Sequence, residues 1–101
     1  MIYGDAFKSL LATCLQELIQ AHGKTSIRGI KDLFIDKQNL QLTKQEQETL
    51  YKRIWDWTTK LYESGLLERE TVLKRNINTH TYSPTQKLTF INVNKRETRT
   101  N

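Results

Sequence analysis

Apolar residues near the start of the chain recur at the spacing of a helix. From Asp5 to Ala21 they form one stripe in which apolar residues recur three and four positions after one another: Phe7, Leu10, Leu11, Cys14, Leu15, Leu18 and Ile19. This period predicts a first helix with one buried face, and it places Cys14 in the core. Gly23 can adopt the left-handed conformation that commonly ends a helix.

A second, shorter helix is predicted over residues 26–35. Its apolar face consists of Ile27, Ile30, Leu33 and Phe34. Either Thr25 or Ser26 can cap its first turn through a side-chain hydroxyl. Gly29 lies inside this helix at a cost of about 1 kcal/mol relative to alanine, which indicates that another group packs closely against it.

The third predicted helix is the longest and spans residues 43–64. Thr43 and Glu46 have the spacing of a capping box, in which each side chain accepts a hydrogen bond from the other residue's backbone N–H. The buried face then continues at helical spacing through Leu50, Ile54, Trp57, Thr58 and Leu61. Gly65 suits the left-handed position after the helix, and a contact between Leu66 and Leu61 would close a Schellman motif.

After Gly65 the period of the apolar residues changes from about 3.6 to 2, which predicts a β-hairpin. The expected segments are a strand over 66–73, a turn over 74–78 and a return strand over 79–82. Pro84 ends the hairpin because it cannot donate a hydrogen bond to a ladder. Residues 88–93 can form an extra C-terminal strand, and 94–101 read as a polar, mobile tail. The sequence therefore predicts one α+β domain over residues 1–93.

Length and composition agree with a single small domain. The chain has 101 residues, of which 37% are hydrophobic and 27% are charged, enough for one modest core. Cys14 is the one cysteine. No intramolecular disulfide can therefore form, and a cytoplasmic location is expected. The first residues lack the features of a signal peptide, and no stretch approaches the roughly 18 apolar residues of a membrane span.

The sequence offers no template for catalysis. It has no glycine-rich phosphate loop, no GxSxG turn and no Ser-Lys or Cys-His pair on a predicted active-site turn. Two histidines and one cysteine, without CxxC or HxxxH spacing, do not favour a metal site. We expect a protein that is not an enzyme and has no cofactor, with no evident small-molecule ligand.

The net charge of +5 is confined to the C-terminal part of the sequence. Residues 1–73 contain ten basic and ten acidic side chains, whereas residues 74–101 contain six basic side chains and Glu97 as their one acid. A neutral body with a basic end indicates a negative partner, either nucleic acid or an anionic membrane. Nucleic acid is favoured, because no helix at the basic end combines a cationic face with a bulky apolar face.

A glycine-leucine junction joins the third helix to the hairpin, and the hairpin closes on an aromatic residue and a turn. The junction reads Leu61-Tyr-Glu-Ser-Gly65-Leu66-Leu67-Glu68-Arg69, and the closing segment reads Thr81-Tyr82-Ser83-Pro84-Thr85. With the helix order, these segments resemble the winged helix-turn-helix superfamily of DNA-binding proteins over roughly residues 5–85. The resemblance implies three helices followed by a β-hairpin wing, with the third helix as the recognition helix.

The interface implied by this resemblance is for double-stranded DNA. The third helix would enter the major groove while the wing and the start of the second helix contact the backbone. The candidate residues are Thr25, Ser26 and Arg28; Lys44, Gln45, Gln47, Lys52 and Arg53; and Lys74, Arg75, Asn76 and Asn78. A reading segment that starts near Leu50 would instead expose Lys52, Arg53, Asp56 and Lys60. The implied role is a small transcriptional regulator, or an accessory factor in replication or in a mobile element.

Aromatic residues of the third helix leave other functions open. Tyr51, Trp55 and Tyr62 form a stripe beside the core stripe. This stripe can complete a broad buried face or form a homodimer or protein interface, since Trp and Tyr are enriched in such patches; stacking on unpaired bases is the third interpretation. The alternative function is therefore a winged-helix adaptor that binds protein. Binding of RNA through the basic end is a further hypothesis.

Overall fold

The computed structural model describes residues 4–88, without the side chains of Lys74, Ile77 and Asn78. Within this range the fold is α+β, with three helices followed by a two-stranded antiparallel hairpin. The elements are α1 (Asp5–His22), α2 (Ile27–Lys37), α3 (Lys44–Glu63), β1 (Leu67–Lys74) and β2 (Ile77–Pro84). This order confirms the predicted class. Most of the extra strand over 88–93 and the whole tail over 94–101 lie outside the described residues.

The core lies where the three helices meet the base of the hairpin. Its buried residues are Phe7, Leu11, Cys14 and Leu15 from α1; Ile27, Ile30 and Phe34 from α2; Leu50 and Ile54 from α3; and Leu67 and Tyr82 from the hairpin. The rings of Phe7 and Phe34 meet edge to face, with centroids 5.4 Å apart. Burial raises the pKa of the Cys14 thiol to about 11, so this side chain acts as a small apolar core residue, as predicted.

Both ends of α3 have the predicted capping structures. The backbone N–H of Glu46 donates to the Thr43 hydroxyl at 3.1 Å, and the backbone N–H of Thr43 donates to the Glu46 carboxylate at 2.8 Å. At the other end, Gly65 has a φ of 81° and the backbone N–H of Leu66 donates to the Leu61 carbonyl at 2.9 Å. The capping box and the Schellman motif are therefore both confirmed.

The close contact predicted at Gly29 is made by Thr25. Ser26 caps α2 by accepting a hydrogen bond from the Gly29 N–H at 3.1 Å. A Cβ atom on Gly29 would lie 2.8 Å from the Thr25 hydroxyl oxygen, which is closer than side chains tolerate. Glycine at this position therefore leaves room for Thr25, which is itself buried.

The hairpin is fastened to the helices at its base. Tyr82 and Thr25 exchange two backbone hydrogen bonds, of 2.7 and 2.9 Å, so that the α1–α2 connection pairs with β2. The side chains of Leu67 and Tyr82 are buried at this end of the hairpin. After β2, the Thr85 hydroxyl donates to the Gly65 carbonyl at 2.6 Å. The start of β1 and the end of β2 are thus both tied to the helical body.

The turn of the hairpin is shorter than predicted. Lys74 pairs with Ile77, which leaves Arg75 and Asn76 as a two-residue turn. Their φ values are 51° and 65°, as required at both central positions of a type I′ turn. The predicted turn over 74–78 was wrong because arginine is not expected in the left-handed region, so the sequence did not indicate that the strands continue to this point.

Candidate nucleic-acid interface

The hairpin tip presents polar and basic side chains outside the helical body. Arg75 and Asn76 are exposed, and Leu73 beside them is 65% exposed. No acidic residue occurs between positions 71 and 80. The side chains of Lys74 and Asn78, which were also predicted to bind, lie outside the described set. The tip therefore offers positive charge without a neighbouring carboxylate in the sequence.

The acidic residues of the hairpin lie in β1, closer to its base. Lys24 Nζ lies 3.7 Å from a Glu70 carboxylate oxygen, and both side chains are exposed. Nearer the tip, on the opposite face of β1, the Thr71 hydroxyl and His80 Nδ1 form a hydrogen bond of 2.8 Å across the two strands. The electrostatic character of the hairpin therefore changes along its length, from mixed charge near the base to basic at the tip.

Of the three side chains at the start of α2 that were predicted to bind DNA, one is exposed. Arg28 is exposed. Thr25 is only 7% exposed, and its hydroxyl donates to the Ser26 carbonyl at 3.1 Å. The Ser26 hydroxyl is half-buried and caps α2. The prediction that Thr25 presents a hydroxyl to a phosphate is therefore corrected, because pairing with β2 buries this residue.

The predicted residues of α3 lie on different sides of the helix. Lys44, Gln45 and Lys52 are exposed. Gln47 is half-buried, and its side-chain amide donates to the Leu42 carbonyl at 3.4 Å. Arg53 lines a cleft beside the N-terminal end of α1. Gln47 therefore lies apart from the exposed side chains of the outer face. Arg53 is exposed, but it lies on the side of α3 that faces the N-terminal end of α1.

Lys44 and Gln47 line a groove between α2 and α3. Tyr51 and Lys31 line the same groove, and Lys31 Nζ lies 3.7 Å from a carboxylate oxygen of Asp32. Lys31 was not among the residues predicted from the sequence to bind DNA. It follows Arg28 by three positions, and this spacing, which places both side chains on one side of a helix, was the available signal.

The aromatic stripe of α3 has two exposed residues, Tyr51 and Trp55, and one that is covered, Tyr62. Tyr51 and Trp55 are 41% and 43% exposed, one helical turn apart. Tyr62 is half-buried, and the Arg69 guanidinium lies over its ring, 4.3 Å from the centroid. The hairpin thus covers Tyr62 and leaves Tyr51 and Trp55 accessible in the described chain.

Comparisons of this chain with protein-family models, with curated proteins and with solved structures each find no match. Within residues 4–88 no helix is both long and apolar enough to cross a membrane. In the same range, no three side chains of His, Cys, Asp or Glu cluster as a metal site would require. Interpretation of the exposed surfaces therefore depends on their own geometry and charge.

Proposed function

We propose that this protein is a winged-helix domain that binds double-stranded DNA, with α3 in the major groove and the hairpin as a wing on the phosphate backbone. The element order supports this proposal, since three helices precede a hairpin whose tip projects from the body. A DNA-binding domain of this kind would act as a small transcriptional regulator or as an accessory factor in replication or in a mobile element.

The conformation of Arg75 is the observation that carries the proposal. A non-glycine residue in the left-handed region costs about 1 to 2 kcal/mol. Arg75 occupies this region with a φ of 51° while its side chain is exposed at the tip. Glycine or asparagine would form the same turn with less strain. Arginine here is therefore better explained by binding a negative partner than by folding.

The outer face of α3 supplies the groove-binding part of the proposal. Gln45, Thr49 and Lys52 are exposed and lie on one side of the helix at spacings of four and three. Glutamine can pair with adenine edges, threonine can contact any base, and lysine neutralises phosphate. The helix as a whole has four basic and four acidic residues. Its charge is balanced, so electrostatic attraction to DNA would depend on the tip.

Duplex binding measured against salt concentration tests the proposal. The variant Arg75→Gly removes one charge and keeps a residue suited to the turn. It should weaken binding and reduce the slope of log K against log salt by about one unit. The control Lys37→Gln removes one charge elsewhere, from an ion pair in which Lys37 Nζ lies 2.7 Å from Glu17. Its slope should equal that of the unchanged protein.

Two results would contradict the proposal. One is equal, salt-independent binding by the unchanged protein and by Arg75→Gly. The other is preferential competition by RNA over duplex DNA, which would assign the basic tip to RNA. A selection from random duplexes then identifies the sequence that α3 reads, and recovery of no enriched sequence would remove α3 from the interface.

Protein binding is the second candidate function because Tyr51 and Trp55 are exposed side by side. A homodimer or adaptor interface would bury both side chains. Tryptophan quenching and a mass measurement in solution distinguish this candidate. A dimer whose indoles are shielded, which becomes monomeric in Trp55→Ala and has no affinity for duplex DNA, would favour the adaptor.

A further inference from the structure

We propose that the outer edge of β1 pairs with the same edge of a second copy of this chain, as antiparallel strands related by a two-fold axis. Within residues 4–88 the sheet has two strands, so β1 has β2 on one side only. In the same range, no other strand or bridge pairs with β1 at any point. This edge lies apart from Tyr51 and Trp55 on α3, and the proposal does not depend on DNA binding.

The backbone groups that face this edge are identified by the hydrogen bonds of β2. Tyr82 lies opposite Arg69, but its own N–H and C=O bond to Thr25. Opposed residues of antiparallel strands alternate between pairs that hydrogen-bond to each other and pairs that point apart. Tyr82 and Arg69 are a pair that points apart. The N–H and C=O of Arg69 therefore face the outer edge, and by the same alternation so do those of Thr71 and Leu73.

The half of this edge nearest the tip lacks the features that prevent strands from pairing. β1 contains no proline, and its register with β2 is continuous, without a bulge. Residues 71–73 are uncharged, and Leu73 is 65% exposed. Edge strands of natural proteins are commonly blocked by proline, bulges or charged side chains. A strand edge without them is suited to augmentation by another strand.

The charged residues at the base of β1 decide which register a second copy takes. Outward-facing residues must lie opposite outward-facing residues, so the two-fold axis passes through one residue position. An axis at Arg69 or at Glu70 would place that residue opposite its own copy, and like charges directly opposite each other destabilise a sheet. An axis at Thr71 opposes no like charges, because Arg69 then meets Leu73 and Glu70 meets Val72.

An axis at Thr71 also covers the exposed apolar residue of the tip. It pairs residues 68–74 of both copies, which is more of the strand than an axis nearer the tip would pair. Leu73 of one copy then lies opposite Arg69 of the other, on the same face of the sheet. The Arg69 guanidinium lies over the ring of Tyr62, which holds its aliphatic stem on that face. Leu73 would contact this stem across the interface.

Amide hydrogen exchange measured by NMR provides the first experiment. An interface of this size is weak, with an expected dissociation constant on the order of 0.1 mM, so the protein is a monomer at low micromolar concentration. Protection of the Arg69, Thr71 and Leu73 amides should rise severalfold as the concentration passes this value, in step with the mass measured by sedimentation. The amides of Glu70 and Val72, which face β2, should change much less.

Charge substitutions at the two-fold axis provide the second experiment. Thr71→Lys and Thr71→Glu each place like charges opposite one another and should weaken self-association roughly two- to fivefold. An equimolar mixture of the two places opposite charges there and should associate at least as tightly as the unchanged protein. The controls Thr49→Lys and Thr49→Glu make the same changes at an exposed threonine of α3, and their mixture should associate as each does alone.

Three results would overturn the proposal. The first is protection of the three outward amides that stays low at every concentration. The second is protection that is high at every concentration, which would mean that the edge is covered within one copy. The third is a mixture of the Thr71 variants that associates no more tightly than either alone; loss of association in Trp55→Ala would then place the interface on α3. Duplex binding is measured separately at low micromolar concentration, so either proposal can fail while the other holds.

Discussion

The base and the tip of the hairpin belong to the same two strands but have opposite relations to the fold. At the base, Tyr82 is fully buried and its backbone pairs with Thr25. At the tip, Leu73 is mostly exposed and Arg75 holds an unfavourable backbone conformation. Burial at the base therefore stabilises the fold. The conformation of Arg75 at the tip destabilises it, and this cost is offset by favourable interactions elsewhere in the molecule.

This difference separates residues that maintain the fold from residues available for binding. A substitution at the base should destabilise the protein and affect binding only through unfolding. A substitution at the tip should leave the fold intact, or even stabilise it, while it changes affinity. A substitution that raises stability and lowers affinity is expected only at a residue that is retained for function at a cost to stability.

The largest expected effect is at the base. Replacing the buried aromatic ring in Tyr82→Ala should lower the free energy of unfolding by about 3 to 5 kcal/mol. At the tip, Leu73→Ala should change it by less than about 0.5 kcal/mol. Urea denaturation of both variants measures the contrast. Similar losses in the two variants would mean that the tip is packed in solution and would end the distinction between the two regions.

The hydroxyl of Tyr82 allows a finer test at the same position. Within the described residues, this buried oxygen has no hydrogen-bond partner. An unpaired buried hydroxyl costs about 1 to 3 kcal/mol, so Tyr82→Phe should be neutral or stabilising in the same denaturation experiment. A clear loss of stability would show that an ordered water satisfies the hydroxyl.

Gly29 tests how closely the α1–α2 connection is held against α2. Gly29→Ala places a methyl group against the Thr25 hydroxyl, and overpacking of this kind costs about 1 to 3 kcal/mol. Removing the obstructing group in Gly29→Ala/Thr25→Ala should recover much of that loss relative to Thr25→Ala alone. A double-mutant cycle measures this coupling. Additive losses would locate the strain elsewhere.

Features set by neighbouring residues could be predicted from the sequence. The capping box needs only Thr43 and Glu46, and the end of α3 needs only Gly65 and its neighbours, so both were confirmed. The burial of Thr25 could not be predicted, because its partner Tyr82 lies far along the chain. Long-range pairing of this kind leaves no periodic signal in either segment.

The residue types of the candidate interface could be predicted from the sequence, but not which of those residues lie on the same side of the molecule. Lys52 and Arg53 are adjacent in sequence and equally basic. Successive residues of a helix point about 100° apart, so one lies on the outer face and the other beside α1. Only the packing of α1 decides which of them borders a cleft. The left-handed conformation of Arg75 was likewise missed, because the preferences for that conformation point to glycine and asparagine.

A smaller effect, of opposite sign, is expected at the tip. Arg75→Gly relieves the left-handed strain and should raise the free energy of unfolding by about 0.5 to 1 kcal/mol. The same variant should lose affinity for duplex DNA in the salt titration. Thermal denaturation and binding are measured on one preparation. A loss of stability together with unchanged binding would assign Arg75 to folding and would reverse the contrast between base and tip.

The smallest expected effect comes from the capping box, which shows that exposure alone does not mark a residue as functional. Thr43 and Glu46 are exposed, like Arg75 and Asn76 at the tip, yet each accepts a hydrogen bond from the backbone N–H of the other. The hydrogen bond from the Thr43 N–H, together with one from its side chain, holds the pKa of Glu46 below its usual value of 4.5. A carboxyl whose pKa is lower in the folded state stabilises that state above 4.5 and ceases to do so as the pH falls through the folded pKa.

Glu46→Gln should therefore be less stable than the unchanged protein at neutral pH, and the difference should shrink below pH 4.5. Glutamine can still accept the Thr43 N–H, so the loss should be small. Glu48→Gln removes the same charge two positions later without touching Thr43, and it controls for charge alone. Urea denaturation across this pH range measures all three proteins. If Glu48→Gln reproduced the pH dependence, helix charge rather than the hydrogen bond to Thr43 would be its source. If neither variant showed it, the capping box would be too exposed to affect stability, and exposure would again separate the two regions of the molecule.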